Sequence, residues 1–159
     1  MAKYPELGKV KTRIAKDLGD EQALIIYHQL LEKTLNICSK FKGNKFLFFD
    51  QFPERLSYLN ENDFEIKFQS AGALGERMYN AFFQVHKEGD KTIVIGADCW
   101  ALSSAILNTA IEELDKNDFV LGPAKDGCFP ICSKNSKFSS PVISITSHFI
   151  KKLARRVQM

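Results

Sequence analysis

Lys91-Thr-Ile-Val-Ile-Gly-Ala-Asp-Cys99 is a short β-branched run that stops at a glycine and then presents one carboxylate. Thr92 to Ile95 has the length and composition expected of a strand buried on both faces. Such a strand belongs to a parallel sheet covered by helices on either side. Ligands on sheets of this kind sit at the carboxyl ends of the strands. Asp98 is therefore expected at the mouth of a site, where a carboxylate can hold a divalent metal bound to phosphate oxygens. Aspartate also follows strands for its turn chemistry alone, so plain capping is the competing reading of the same residue.

Working outward, helices and strands alternate. Asp20 and Glu21 lead into Gln22 to Phe41, where Ala23, Ile26, Tyr27, Leu30, Leu31, Leu35 and Cys38 recur at steps of three and four. That spacing predicts a long amphipathic helix with an acidic first turn. Lys45 to Phe49 reads as a compact apolar strand with Asp50 at its end. Phe64, Ile66 and Phe68 alternate with charged residues, as in a strand near a sheet edge. Gly72 and Gly75 flank a turn at the start of a second helical stripe of Leu74, Met78, Ala81, Phe82 and Val85. A third helix is expected from about Ser103 to Leu114 and a short strand over Asp118 to Leu121. Another strand is expected over Cys128 to Cys132, with Pro130 arguing for an edge or irregular position. Thr146 to Val157 reads as a basic terminal helix. The pattern predicts an α/β fold, a three-layer sandwich with a mostly parallel sheet, in one domain over residues 1–159.

Composition narrows the function classes. At 159 residues the chain can bury one real core. No run approaches the roughly 18 apolar residues that span a bilayer, and the start lacks the apolar centre of a signal peptide. A cytoplasmic protein with no membrane partner is expected. The four cysteines (Cys38, Cys99, Cys128, Cys132) and three scattered histidines lack zinc-ligand spacing, so reduced thiols are the simpler reading. A net charge of +3 is too mild for a nucleic-acid partner. The cations cluster instead: Lys3, Lys9, Lys11, Arg13 and Lys16 at the start, and Lys151, Lys152, Arg155 and Arg156 at the end. The basic opening loop, Asp98 and Asp126 converge on the carboxyl edge of the expected sheet. Cations that neutralise phosphate and acids that hold Mg²⁺ or Mn²⁺ are what a metal–diphosphate site needs.

Four blocks carry a resemblance. Ala2-Lys-Tyr-Pro-Glu-Leu-Gly-Lys-Val-Lys-Thr-Arg13, Gln69-Ser-Ala-Gly-Ala-Leu-Gly-Glu-Arg-Met78, Ile95-Gly-Ala-Asp-Cys99 and Leu121-Gly-Pro-Ala-Lys-Asp-Gly127 occur in that order. Together they resemble the radical-SAM/selenodomain-associated transferases, also described as arsenosugar-biosynthesis glycosyltransferases. That family is similar to nucleotide-diphospho-sugar transferases of the GT-A type. The resemblance implies a nucleotide-phosphate loop of Gly8, Lys9, Lys11 and Arg13, with Gln69, Gly75 and Arg77 lining the nucleotide or acceptor side. It implies Asp98 as metal ligand and Asp126 as a second acid, facing metal or acceptor and acting as base. The implied cofactor is a divalent metal. The implied partners are a nucleotide sugar or nucleoside triphosphate and a small acceptor.

The chain also departs from the family pattern. Members carry an apolar strand directly before the Ala-Lys-x-Pro loop, and Met1 stands where that strand would end. The resemblance thus implies a sheet whose first strand is missing, with either an unfilled gap or a closed-up sheet. Trp100 stands where proline is usual, Cys128 replaces glycine, and Pro130 replaces an aromatic or aliphatic residue. Three functions stay open: glycosyl transfer, nucleotidyl transfer of the guanylyltransferase kind, and a non-catalytic relative that keeps nucleotide binding or structure alone.

Overall fold

In a computed structural model, the described residues are 1–51, 56–60, 62–87, 89–122 and 131–133. The chain opens with helix α1 (Thr12–Leu18) and α2 (Asp20–Ser39), followed by strands β1 (Phe46–Phe49) and β2 (Glu65–Phe68). Helix α3 (Leu74–Val85), strand β3 (Thr92–Val94) and helix α4 (Ser104–Lys116) come next, then strands β4 (Phe119–Leu121) and β5 (Ile131–Ser133). Sequence signals account for most boundaries. Asp20 and Glu21 oppose the positive end of the α2 dipole. The Ser103 hydroxyl accepts from the Ile106 N–H at 3.3 Å, capping α4. The Glu76 carboxylate accepts from the Ala73 N–H at 2.8 Å, which caps α3 where Ala73 has no acceptor of its own.

The strands fall into a parallel pair, β1 with β2, and a three-stranded set ordered β3-β5-β4. β5 runs antiparallel to both neighbours, so β3 and β4 share one direction. Against the edge or irregular position expected from Pro130, which lies outside the described residues, β5 lies between two others. Met1 and Ala2 join the two sets. Ala2 pairs in parallel with Phe49, its N–H reaching the Phe48 carbonyl at 2.8 Å. The Met1 amino group donates to the Ile95 carbonyl at 3.0 Å, and the Ala97 N–H donates to Met1 at 2.9 Å. The order across the molecule is thus β2, β1, the Met1–Ala2 segment, β3, β5, β4.

Helices cover both faces. Leu47 and Phe49 pack with Tyr27, Leu31 and Leu35 of α2 in the main core. Ile93 packs against Ala110 and Leu114 of α4, whereas its neighbour Thr92 turns to the opposite face and bonds His86 after α3 at 2.9 Å. This is the expected three-layer α/β sandwich. One expectation needs correction. The residues of β3 are only half-buried, where a fully buried strand was expected; they line a gap of about 560 Å³ that opens beside Met1 between β1 and β3. A second element was not expected at all: α1 begins inside the basic opening segment, so Arg13 is helical rather than in a loop.

Candidate active site at the carboxyl edge

Four pieces of main chain leave the carboxyl ends of neighbouring strands and meet. They are the segment after Ala2, Asp50 after β1, Gln69 after β2 and Gly96 to Asp98 after β3. Tyr27 of α2 pins the first of these. Its hydroxyl donates to the Lys3 carbonyl at 2.8 Å and accepts the Lys3 N–H at 3.0 Å. Burial pushes this phenol well above its ordinary range, and the nearby Asp98 and Asp50 carboxylates push the same way. Asp50 accepts from the Tyr4 N–H at 2.7 Å. The opening segment is therefore held along its length by a phenol and a carboxylate.

Held this way, the segment brings Lys11 to Asp98. The two side chains form an ion pair at 2.7 Å across 87 positions of sequence, and both are partly shielded from water. Lys11 adopts a left-handed backbone conformation, φ 47 and ψ 39, at the start of α1. Such a conformation costs a non-glycine residue on the order of 1 kcal/mol. Gly8, also at positive φ (+73), meets that demand without cost. Lys9 instead pairs with Glu6 at 2.7 Å on the exposed side of the loop. Arg13 is exposed on α1.

On the other side of the opening segment, Gln69 donates to the carbonyls of Ala2 at 2.6 Å and Phe48 at 3.0 Å. Its oxygen accepts from Arg77 at 3.0 Å. Gln69 thus ties three pieces of backbone together and orients the arginine. The Arg77 Nε is buried and has no partner among the described residues. A buried, unpaired guanidinium N–H is costly, and an anionic or carbonyl acceptor would satisfy it. Gly75 lies half-buried in the first turn of the same helix.

The structure therefore brings Lys11 to Asp98 and Gln69 to Arg77, each pair beside the Met1–Ala2 segment. Asp126 lies outside the described residues, as do Cys128 and the terminal helix expected over Thr146 to Val157. Among the described residues no three His, Cys, Asp or Glu side chains form a metal-binding group. Cys38 and Cys99 are free thiols. No helix among the described residues is long and apolar enough to cross a membrane. Three neighbours of the site were not singled out for it. Asp50 was legible by the same strand-end rule that found Asp98. Tyr27 was hidden in an apolar stripe. Trp100, exposed two residues after Asp98, carries Lys33 over its ring at 4.3 Å, and the same ammonium donates to its carbonyl; nothing in the sequence linked those two.

The family model for "Uncharacterized protein conserved in bacteria (DUF2064)" matches residues 34–139, more than half of the chain. The chain belongs to this family. A solved structure described as a "putative nucleotide-diphospho-sugar transferase" from Desulfovibrio desulfuricans G20 superposes on this DUF2064 chain with a TM-score of 0.76 at 25% identity. The match covers 89% of this chain and 64% of the other, so this chain spans less than two thirds of that protein's length. No curated protein matches. The DUF2064 chain thus has a GT-A-like fold, shared with a nucleotide-diphospho-sugar transferase-like structure.

Proposed function

We propose that this chain binds a nucleotide-activated sugar through its diphosphate and transfers the glycosyl group to a small acceptor. The observation that carries the proposal is the Lys11–Asp98 pair at 2.7 Å, set at the carboxyl edge of the sheet. A lysine held in a strained conformation beside a carboxylate is a preformed cation, positioned for the charge that develops on a departing nucleoside diphosphate. The Arg77 Nε, without a partner among the described residues, adds a second donor beside the Met1–Ala2 segment. The likeness to a nucleotide-diphospho-sugar transferase-like structure supports the same reading. In the reaction, the acceptor oxygen bonds to the anomeric carbon as the bond to the diphosphate oxygen breaks. The acceptor proton passes to a base, for which the resemblance offers Asp126.

The expected divalent metal enters this proposal with Asp98 as its described ligand. A metal there would take the place of the Lys11 ammonium on the carboxylate and free the lysine for phosphate. It would supply charge neutralisation of the diphosphate. The four sequence blocks narrow the proposal to the radical-SAM/selenodomain-associated, arsenosugar-type transferases.

A second reading, nucleotide binding without turnover, draws on the same ion pair, because Lys11 already neutralises Asp98 without any metal. One experiment separates the two. The chain is titrated with nucleoside diphosphates, triphosphates and sugar nucleotides, with and without Mn²⁺, while melting temperature and released phosphate species are followed. A true ligand raises the melting point in proportion to the logarithm of its concentration. Diphosphate release with sugar nucleotides supports glycosyl transfer, pyrophosphate release with triphosphates supports nucleotidyl transfer, and stabilisation with neither supports binding alone. No shift with any nucleotide would sink both readings.

A further inference from the structure

Tryptophan is on average one of the more thoroughly buried side chains, because its ring removes a large apolar area from water. Trp100 does the opposite: at 71% exposure it is the most open large apolar side chain among the described residues. Its place is nonetheless fixed. The Leu102 N–H donates to the Cys99 carbonyl at 3.2 Å, closing a turn with Trp100 and Ala101 at its apex, and the buried Leu102 anchors the far end of that turn. Trp100 holds the second position of the turn, which admits most residues and favours proline, so local geometry does not ask for an indole. Lys33 of α2 commits its ammonium twice to this one residue, donating to the Trp100 carbonyl and lying 4.3 Å from the ring centroid. A half-buried lysine gives up rotamer freedom to do so. One ring face is thus backed by a cation, and the exposure leaves the other in water.

We propose that the open face of Trp100 is a stacking platform for the base of the bound nucleotide. The proposal rests on the reading that Lys11 and Asp98 hold the diphosphate, and extends it to the ring at the diphosphate's end. Two residues of chain reach at most about 7 Å, so Trp100 stands from Asp98 about as far as a base stands from its own phosphate, one ribose away. A glycosyl ring lies at a similar distance from the other phosphate, and electrostatics separates the two. A sugar stacks through polarised C–H groups that need the negative face of the indole, and the Lys33 ammonium already draws on that charge. A base brings π-electrons of its own; the ammonium, by withdrawing density from the indole, lowers the repulsion between the two π-clouds. Every base has such a face, so the platform gives affinity with little choice among bases.

Trp100 is the sole tryptophan of the sequence, so indole emission reports this ring alone. The 159-residue chain is titrated with UDP, GDP, ADP, UDP-glucose and pyrophosphate in Mg²⁺, which unlike Mn²⁺ does not itself quench fluorescence. Emission is followed beside calorimetric affinity, and the calorimetry is repeated on Trp100→Ala. The nucleotides are expected to quench the indole, and pyrophosphate to leave it unchanged. Trp100→Ala is expected to bind the nucleotides about 5- to 100-fold more weakly, the range for loss of one base–aromatic stack. It should bind pyrophosphate as before and keep the native melting temperature, since the ring buries little. Nucleotide binding without quenching, or with equal affinity in Trp100→Ala, overturns the platform and leaves the diphosphate reading intact. Quenching by UDP-glucose but not by UDP gives the ring to the sugar and overturns the base assignment. Equal weakening of pyrophosphate and nucleotides in Trp100→Ala means a structural role and overturns it too. If neither pyrophosphate nor any nucleotide binds the native chain, the diphosphate site itself is refuted, and the platform with it.

Discussion

At the residue scale, Lys11 is the side chain whose cost asks for a function. Its left-handed backbone is strained, and its ammonium is committed to Asp98. Lys11→Gly removes the charge and the strain together. It is expected to leave the stability toward urea unchanged or raised by up to about 1 kcal/mol. Nucleoside-diphosphate affinity should fall by about 10- to 100-fold, the loss of one charge-assisted contact. Calorimetric titration beside urea unfolding checks both halves; a stable variant with unchanged affinity would remove Lys11 from the phosphate site. Tyr27 is the complementary case, a residue whose work is structural. Tyr27→Phe deletes both hydrogen bonds to Lys3 and leaves that residue's N–H and carbonyl poorly paired. A loss of about 1–3 kcal/mol is expected in urea unfolding. Affinity for nucleotide should weaken only as far as the opening segment loosens.

At the scale of elements, the start of α3 concentrates the constraints. Gly72 sits at φ +113, and a Cβ added there would strike the Glu76 carboxylate, the group that caps Ala73. Gly72→Ala therefore combines backbone strain with a displaced cap, at an expected cost of about 1–3 kcal/mol by thermal or urea melts. Helix α3 carries Arg77, so a shift in its first turn should also weaken the contact with Gln69. Much of this was legible beforehand: the 3.6-residue stripes gave α2, α3 and α4 within a few residues, and the β-branched run gave β3. What escaped has physical reasons. Helix α1 contains few apolar residues and buries none completely, so no periodicity announced it. The central placement of β5 depends on long-range pairing with β3 and β4, and the local cue of Pro130 pointed the other way. The Lys11–Asp98 ion pair was not expected as such: the family likeness assigned Lys11 to phosphate and Asp98 to metal, and spacing in sequence cannot report a direct contact across the sheet. The Gln69–Arg77 tie was not expected as such either: the same likeness assigned both residues to nucleotide, and their mutual bond emerged only with α3 folded against the sheet.

At the scale of the whole molecule, one amino group couples the two halves of the sheet, and this makes stability depend on pH in a definable way. The Met1 nitrogen is hydrogen-bonded to Ile95, while its neighbour Ala2 pairs with β1. Burial lowers this ammonium from 8.0 to about 6, with Cys38 and Asp98 opposing the fall. Between those values the unfolded chain binds a proton that the folded chain does not. Stability must then rise with pH across this window, be fully present above about 8, and be lost as pH falls toward 6. Two pH units correspond to roughly 2–3 kcal/mol at most. Urea unfolding of a chain verified by mass to retain Met1 should show this slope between pH 6 and 8. The same protein acetylated at Met1 has no titrating α-amino group, so any slope it keeps belongs to other groups. Subtracting the two curves isolates the amino group. Identical curves would mean that Met1 is not seated between the halves of the sheet, and the gap beside it would lose its boundary.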